Sequence, residues 1–188
     1  MIEILWHGRG GQGAFTAARL LGAAYALKGD NSYALAFPSF GPERRGAPIR
    51  AFTKLDTKPI GNRSEIEKAD YSIFLDDTLF SQEAFKELKP EGKILLNTSH
   101  SNMKYVDTKY SIQNSNIIAL DADALAIKIL KLPITNTVML GAFATIFDGI
   151  DMEQIEEAIR QNMPEKLQGK NIAVVRAVAD VVGKENKR

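Results

Sequence analysis

Six consecutive residues, Gly8-Arg9-Gly10-Gly11-Gln12-Gly13, have the types and spacing of an anion cradle. Four glycines in six positions let the backbone turn through positive φ and leave few side chains between a ligand and the amide N–H groups. Where such a loop opens a helix, a phosphate can rest against free N–H groups and the positive end of the helix dipole. A second stretch, Pro38-Ser39-Phe40-Gly41-Pro42-Glu43-Arg44-Arg45-Gly46-Ala47-Pro48, brings Arg44 and Arg45 into a proline-stiffened loop, with Arg50 just beyond it. Guanidinium forks pair with phosphate oxygens, and a stiffened loop loses little entropy on binding. The same arginines would also suit a solvated surface paired with Glu43.

Three readings of the glycine loop differ in what must flank it. Gly8-x-Gly10-x-x-Gly13 fits the dinucleotide fingerprint, which also needs a carboxylate about 20 residues further on to hold a ribose. Asp30 falls before the expected second strand and Glu43 well after it, so that carboxylate is missing. Gly8 and Gly13 have the outer spacing of a P-loop, but Ala14 and Phe15 stand where its Lys and its Ser or Thr belong, which disfavours nucleotide hydrolysis. The third reading is a turn that only lets helix and strand pack closely.

Other groups carry weaker signals. Asp76 and Asp77 invite an acid/base or metal role, but neighbours on an extended chain point apart, and Asp77 or Thr78 is placed to cap a following helix. His7 ends the first strand beside the glycine loop, and His100 sits in a polar connection with no identifiable partner. No catalytic or metal-ligating set is assigned.

The elements that would position these residues follow from periodicity. Ile2 to Trp6 reads as a buried strand and Ala14 to Leu27 as a helix, with Tyr33 to Phe37 and Ile49 to Leu55 as further strands. The last two are joined without a helix, which suggests a mixed sheet. On Ile49 to Leu55, alternation puts Ile49, Ala51, Thr53 and Leu55 on one face and Arg50, Phe52 and Lys54 on the other. Tyr71 to Leu75 is a strand, followed by a helix bearing Phe80, Phe85 and Leu88 that Pro90-Glu91-Gly92 ends, and then by a strand from Lys93 to Asn97. Thr98 to Asn116 reads as irregular. Ile117 to Leu120 is a strand capped onward by Asp121 or Asp123 into a helix from Ala124 to Leu130. Thr135 or Asn136 caps a helix from Thr137 to Phe147, Asp151 with Gln154 forms a capping box, and Glu165 to Val182 is a last helix that Gly183 stops. The expected fold is α/β: a single three-layer α/β/α domain spanning residues 1–188 with a mixed, mostly parallel sheet.

The 188 residues suffice for one core. The absence of cysteine excludes iron–sulfur ligation, zinc thiolates, disulfides and cysteine nucleophiles on this polypeptide, so any redox centre must belong to another chain. A formal charge of +1 gives no general attraction to nucleic acid or membrane, and no apolar run has the length of a signal or a span. A soluble, cytoplasmic protein is expected.

The pairing of Gly8-Arg9-Gly10-Gly11-Gln12-Gly13 with Phe40 to Pro48, followed by Asn136-Thr137-Val138-Met139-Leu140-Gly141-Ala142, resembles the gamma subunit of pyruvate:ferredoxin oxidoreductase and its 2-oxoacid (ketoisovalerate) relatives. The resemblance covers essentially the whole chain. It implies a complex that decarboxylates a 2-oxoacid on thiamine diphosphate, passes electrons through [4Fe-4S] clusters to ferredoxin, and transfers the acyl group to coenzyme A. It implies that thiamine diphosphate and clusters lie on alpha, beta and ferredoxin-like delta partners. In agreement, the one Asp-Gly pair, Asp148-Gly149, lacks the flanking residues of the thiamine diphosphate signature. It further implies coenzyme A as the ligand of Gly8, Arg9, Gly10, Gly11, Gln12, Gly13, Arg44 and Arg45, whose chemistry suits a pyrophosphate and a separate 3′-phosphate. Two alternatives stay open: both loops contact other subunits, or the chain is a stand-alone nucleotide- or coenzyme-binding module. A related arylpyruvate-type subunit shares the glycine loop, but the Phe40 to Pro48 loop looks more like the pyruvate and ketoisovalerate group.

Overall fold

Strand β1 (Ile2–Arg9) lies inside a six-stranded sheet of order β2-β3-β1-β4-β5-β6, where β2 is Tyr33–Pro38, β3 Pro48–Asp56, β4 Ala69–Phe74, β5 Leu88–Asn97 and β6 Ile117–Leu120. In this computed structural model the described residues are 1–39, 45–99, 116–132 and 134–185. Strand β3 runs antiparallel to both β1 and β2, whereas β1, β4, β5 and β6 are parallel neighbours. The sheet is therefore mixed and mostly parallel, as expected.

Helix α1 (Ala14–Ala26) follows β1, and α2 (Ala122–Leu130), α3 (Asn136–Ile146), α4 (Met152–Asn162) and α5 (Glu165–Glu185) follow β6. All five contribute to one core with Ile4, Trp6, Ala51, Leu55, Ile73 and Leu95, the residues that alternation places on one face of the sheet. Trp6 Nε1 donates to Thr53 Oγ1 at 3.1 Å, and Thr53 donates on to Ala18 O at 3.0 Å, which ties α1 to β1 and β3 without an unsatisfied buried group. Helix α3 is buried from Asn136 to Phe143 and crosses α5 closely: a Cβ on Gly141 would stand 2.9 Å from Val175 Cα.

Among the described residues the layer on the opposite face is thin. In place of the expected α-helix after β4 there are two 3-10 segments, Asp77–Leu79 and Gln82–Glu87. Each starts afresh on its own cap, since Asp76 accepts from Thr78 N–H and Ser81 from Glu83 N–H, while extended Phe80 between them inserts beside Phe74 and Leu96. Phe85 and Leu88 join that cluster, and β5 begins at Leu88, earlier than Lys93, with Pro90 in the irregular stretch where pairing with β4 shifts register. Strand β1 runs three residues past Trp6, to Arg9, because His7, Gly8 and Arg9 pair with Arg50, Ile49 and Pro48 of β3, and the other strand boundaries lie within one or two residues of expectation. Helix α5 runs through Gly183 to Glu185, because an interior glycine costs a helix only about 1 kcal/mol and does not stop it without a left-handed turn. The segment Thr98 to Asn116 lies mostly outside the described residues.

The same face carries an ionic mesh. Lys54, almost completely buried, stands 3.8 Å from Glu3, which also pairs with Lys89 at 3.2 Å, and Lys89 pairs with Asp70 at 2.7 Å. Nearby, Arg50 reaches Glu65 at 2.9 Å and Glu87 at 3.5 Å. No helix among the described residues is long and apolar enough to cross a membrane.

Candidate site at the N-terminus of helix α1

The glycine loop leaves the C-terminal end of β1 at the point where the sheet's connections diverge. Chain leaving β1 crosses by α1 to β2, beyond β3, whereas chain leaving β4 goes to β5 on the other side. A crevice outside the strand ends is the expected place for a ligand in such a sheet. Gly11 and Gly13 have φ of 95° and 81°, conformations that a side chain would strain, and Gly13 is the left-handed N-cap of α1. Gly8 is the close-approach glycine: a Cβ there would lie 3.1 Å from Leu75 and 3.2 Å from Ala14.

Three stretches distant in sequence meet here. Gly10 N–H donates to Ala47 O at 2.8 Å and Gly46 N–H to Gly10 O at 3.0 Å, so the arginine loop is stitched to the glycine loop by main chain. Arg45 is thereby brought alongside: its Cγ is 4.0 Å from where a Gly11 Cβ would project, and its side chain is exposed. From α3, Asn136 packs on Gly13, leaving no room for a Cβ there, and its Nδ2 approaches Gly13 O at 3.4 Å. Arg44 and His100 lie outside the described residues.

Arg9 and Gln12 hold the loop together. Arg9 Nε donates to Asp76 Oδ2 at 2.9 Å, Nη1 to Gly46 O at 3.1 Å and Nη2 to Thr78 Oγ1 at 2.8 Å. Gln12 Nε2 donates to the same Asp76 oxygen at 3.3 Å, and its Oε1 accepts from Arg9 N–H at 2.7 Å. Burial raises the Asp76 pKa, but hydrogen bonds from Thr78, Arg9 and Gln12 together outweigh it and hold the carboxyl below its ordinary range. Asp76 is thus a fixed anion that orients the loop.

Beyond Asp76 the crevice opens into a pocket of about 210 Å³ lined by Gln12, Asp76, Asp77, Asn97, Thr98 and Asp123, among others. Asn97 closes its floor, donating to Leu75 O at 2.9 Å and Asp123 Oδ2 at 3.0 Å and accepting from Ala122 N–H at 2.9 Å. Thr98 donates to Asp77 at 2.8 Å. His7 lies on the face of the two 3-10 segments instead. It is stacked on Phe74 at 4.1 Å, with Nε2 3.1 Å from Ser72 Oγ and 3.4 Å from Glu87. Burial, then the Arg50 charge, pushes its pKa down to about 3, so its ring is neutral at physiological pH and belongs to the ionic mesh rather than to the loop. Among the described residues no cluster of three or more His, Asp or Glu is placed to hold a metal.

Asp76, Thr78 and Asn136 are the members of this site that residue types alone did not assign. Asp76 was visible as an acid closing a strand, and Asn136 as the start of a motif; neither position reveals the long-range partner.

This fold, with a glycine loop, an arginine loop and an Asn-Thr helix start joined at one corner, matches a known family. The chain belongs to the pyruvate ferredoxin/flavodoxin oxidoreductase family, whose pattern matches residues 3–181. Within it this is a gamma-type subunit. It is 41% identical over 94% of both chains to pyruvate synthase subunit PorC of Methanothermobacter marburgensis, and 42% identical, with the same coverage, to the pyruvate/ketoisovalerate oxidoreductases common subunit gamma of Pyrococcus furiosus. The crystal structure of pyruvate oxidoreductase subunit PORC from Thermotoga maritima superposes with a TM-score of 0.80 at 32% identity, covering 95% of each chain.

Proposed function

We propose that this gamma-type subunit supplies the coenzyme A phosphate site of a 2-oxoacid:ferredoxin oxidoreductase. In that assembly, alpha, beta and ferredoxin-like delta chains carry thiamine diphosphate and the [4Fe-4S] clusters. The reaction converts a 2-oxoacid, coenzyme A and oxidised ferredoxin to an acyl-CoA, carbon dioxide and reduced ferredoxin. Coenzyme A would supply the thiol that accepts the acyl group.

The observation that carries this reading is the joining of Gly10 to Gly46 and Ala47, which sets exposed Arg45 beside the N-terminus of α1. A pyrophosphate fits a helix N-terminus opened by Gly11 and Gly13, and the separate 3′-phosphate fits the exposed Arg45 beside it. The eight residues divide accordingly. Gly8, Gly10, Gly11 and Gly13 shape the cradle, Arg9 and Gln12 brace it through Asp76, and Arg45 with Arg44 meets the ligand.

The test is titration of the assembled oxidoreductase with coenzyme A and desphospho-coenzyme A, in wild type and in an Arg44→Ala/Arg45→Ala variant. The expected result is that the variant loses at least tenfold in coenzyme A affinity and no longer distinguishes the two ligands. Unchanged affinity in a complex that falls apart more readily would overturn the proposal, and would make both loops subunit contacts.

A further inference from the structure

The geometry points to an isologous contact between two copies of this chain, made along the outer edge of β2 and the groove beside it. Ser39 N–H donates to Arg50 O at 2.9 Å across the β2–β3 pair, so Ser39, Phe37, Leu35 and Tyr33 occupy the hydrogen-bonded positions facing β3. The N–H and C=O of Ala34 and Ala36 and the C=O of Pro38 therefore point away from β3, at the end of the sheet. From Tyr33 to Phe37 this edge has no charge, proline or bulge, the devices that natural sheets use to blunt a free edge. An extended strand is the chemical partner of such a row.

The occupant that the residues themselves fit is β2 of a second copy, antiparallel, with the twofold axis at Leu35. Ala34 and Ala36 of each copy then exchange main-chain hydrogen bonds with Ala36 and Ala34 of the other. Tyr33 faces Phe37 twice, an aromatic cross-strand pair, and Leu35 faces itself with no like charges opposed. Tyr33 is exposed, and Leu35 is half-buried without belonging to any core cluster.

The helix layer is compatible with this pairing. Gly22 of α1 lies over the gap between β2 and β3, since a Cβ there would touch Ala34 at 3.5 Å, Ala36 at 3.7 Å and Thr53 at 4.0 Å. Helix α1 thus stands half a strand spacing inside β2, and the axis half a spacing outside it. That sets the two α1 helices about 10 Å apart, near the normal helix packing distance. The surface between them is a groove of about 280 Å³ lined by Arg19, Ala23 and Ala26 together with Gly22, Ala34 and Ala36, small enough in side chain for the approach.

Charge completes the match. Helix α1 has no basic residue in its last turn, and the antiparallel arrangement places Arg19 of one copy beside Ala26 of the other, at the negative end of its dipole.

Because the chain has no cysteine, a single Leu35→Cys in the full-length protein reports the contact directly. The two sulfurs would meet on the axis in a non-hydrogen-bonded pair, within disulfide reach. The expected results are a mass near twice 20.7 kDa by light scattering, and a disulfide-linked dimer formed under mild oxidation by Leu35→Cys at least tenfold faster than by an exposed control, Lys166→Cys. Leu35→Lys, which sets two ammonium groups face to face, is expected to give a monomer with an unchanged circular dichroism spectrum. A wild-type monomer at all concentrations, or equal cross-linking in the two cysteine variants, would overturn the proposal. A monomer whose β2 amides gain exchange protection only on assembly with partner subunits would also overturn it, assigning the edge to a heterologous strand.

Discussion

The two faces of the sheet are made by the same strands and obey different rules. On the helix side β1 presents Ile4 and Trp6, and β3 presents Ala51 and Leu55, all buried in one apolar core. On the other side β1 presents Glu3 and His7 beside Leu5, and β3 presents Arg50 and Lys54 beside Phe52; there small apolar clusters alternate with ion pairs. The first face is held by volume and packing, which are insensitive to pH. The second is held by partners, each costly to remove because the groups are partly desolvated.

That contrast is broken most severely through Trp6. Trp6→Ala deletes a fully buried indole and leaves Thr53 without its donor, and should cost about 3–5 kcal/mol in urea denaturation. If instead the loss were as small as that of a surface residue, the helix-side core would be far more plastic than its packing implies.

On the mesh side, Glu3→Gln removes the carboxylate nearest buried Lys54 and one of the two carboxylates pairing Lys89, with an expected loss of about 2 kcal/mol. Adding Lys54→Met to that variant should recover most of the loss, since a chain of similar volume no longer buries an uncompensated charge. An additive double variant would show that the two groups are not coupled and that the mesh is merely surface charge.

Acid sharpens the difference further. His7 has its folded pKa depressed to about 3 from an ordinary 6.5, so the unfolded chain binds the proton first. Its contribution is fully present above about pH 6.5 and is lost as pH falls toward about 3, with a slope near 1.4 kcal/mol per pH unit at most. His7→Gln should flatten the stability profile between about pH 6 and 4, while Trp6→Ala should lower it without changing its shape. A His7→Gln profile parallel to wild type would remove the imidazole from the account.

The candidate site was legible in proportion to how local its signals are. Glycines at positive φ, the caps at Asp121 and Asp151, and the alternation of β3 are properties of a few neighbouring residues, and they stand where expected. The helix expected after β4 was not legible. Phe80 satisfies helical spacing, yet its burial against Phe74 requires extended backbone, and a tertiary contact outweighed a weak local preference. The third layer accordingly consists of 3-10 turns and extended chain in its described part.

By itself the sequence determined the α/β class, the order of the strands and, apart from the segment after β4, of the helices along the chain, the absence of thiolate chemistry, and the family, because periodicity, composition and motif are carried by neighbouring residues. Only the tertiary structure decided that Arg9 serves Asp76 while Arg45 is left beside the cradle, that Asn136 closes on Gly13 from over a hundred residues away, and that β2 ends the sheet with its alanine backbone facing outward. Those outcomes depend on which strand lies next to which, and that order is set by burial of the whole sheet rather than by any stretch within it.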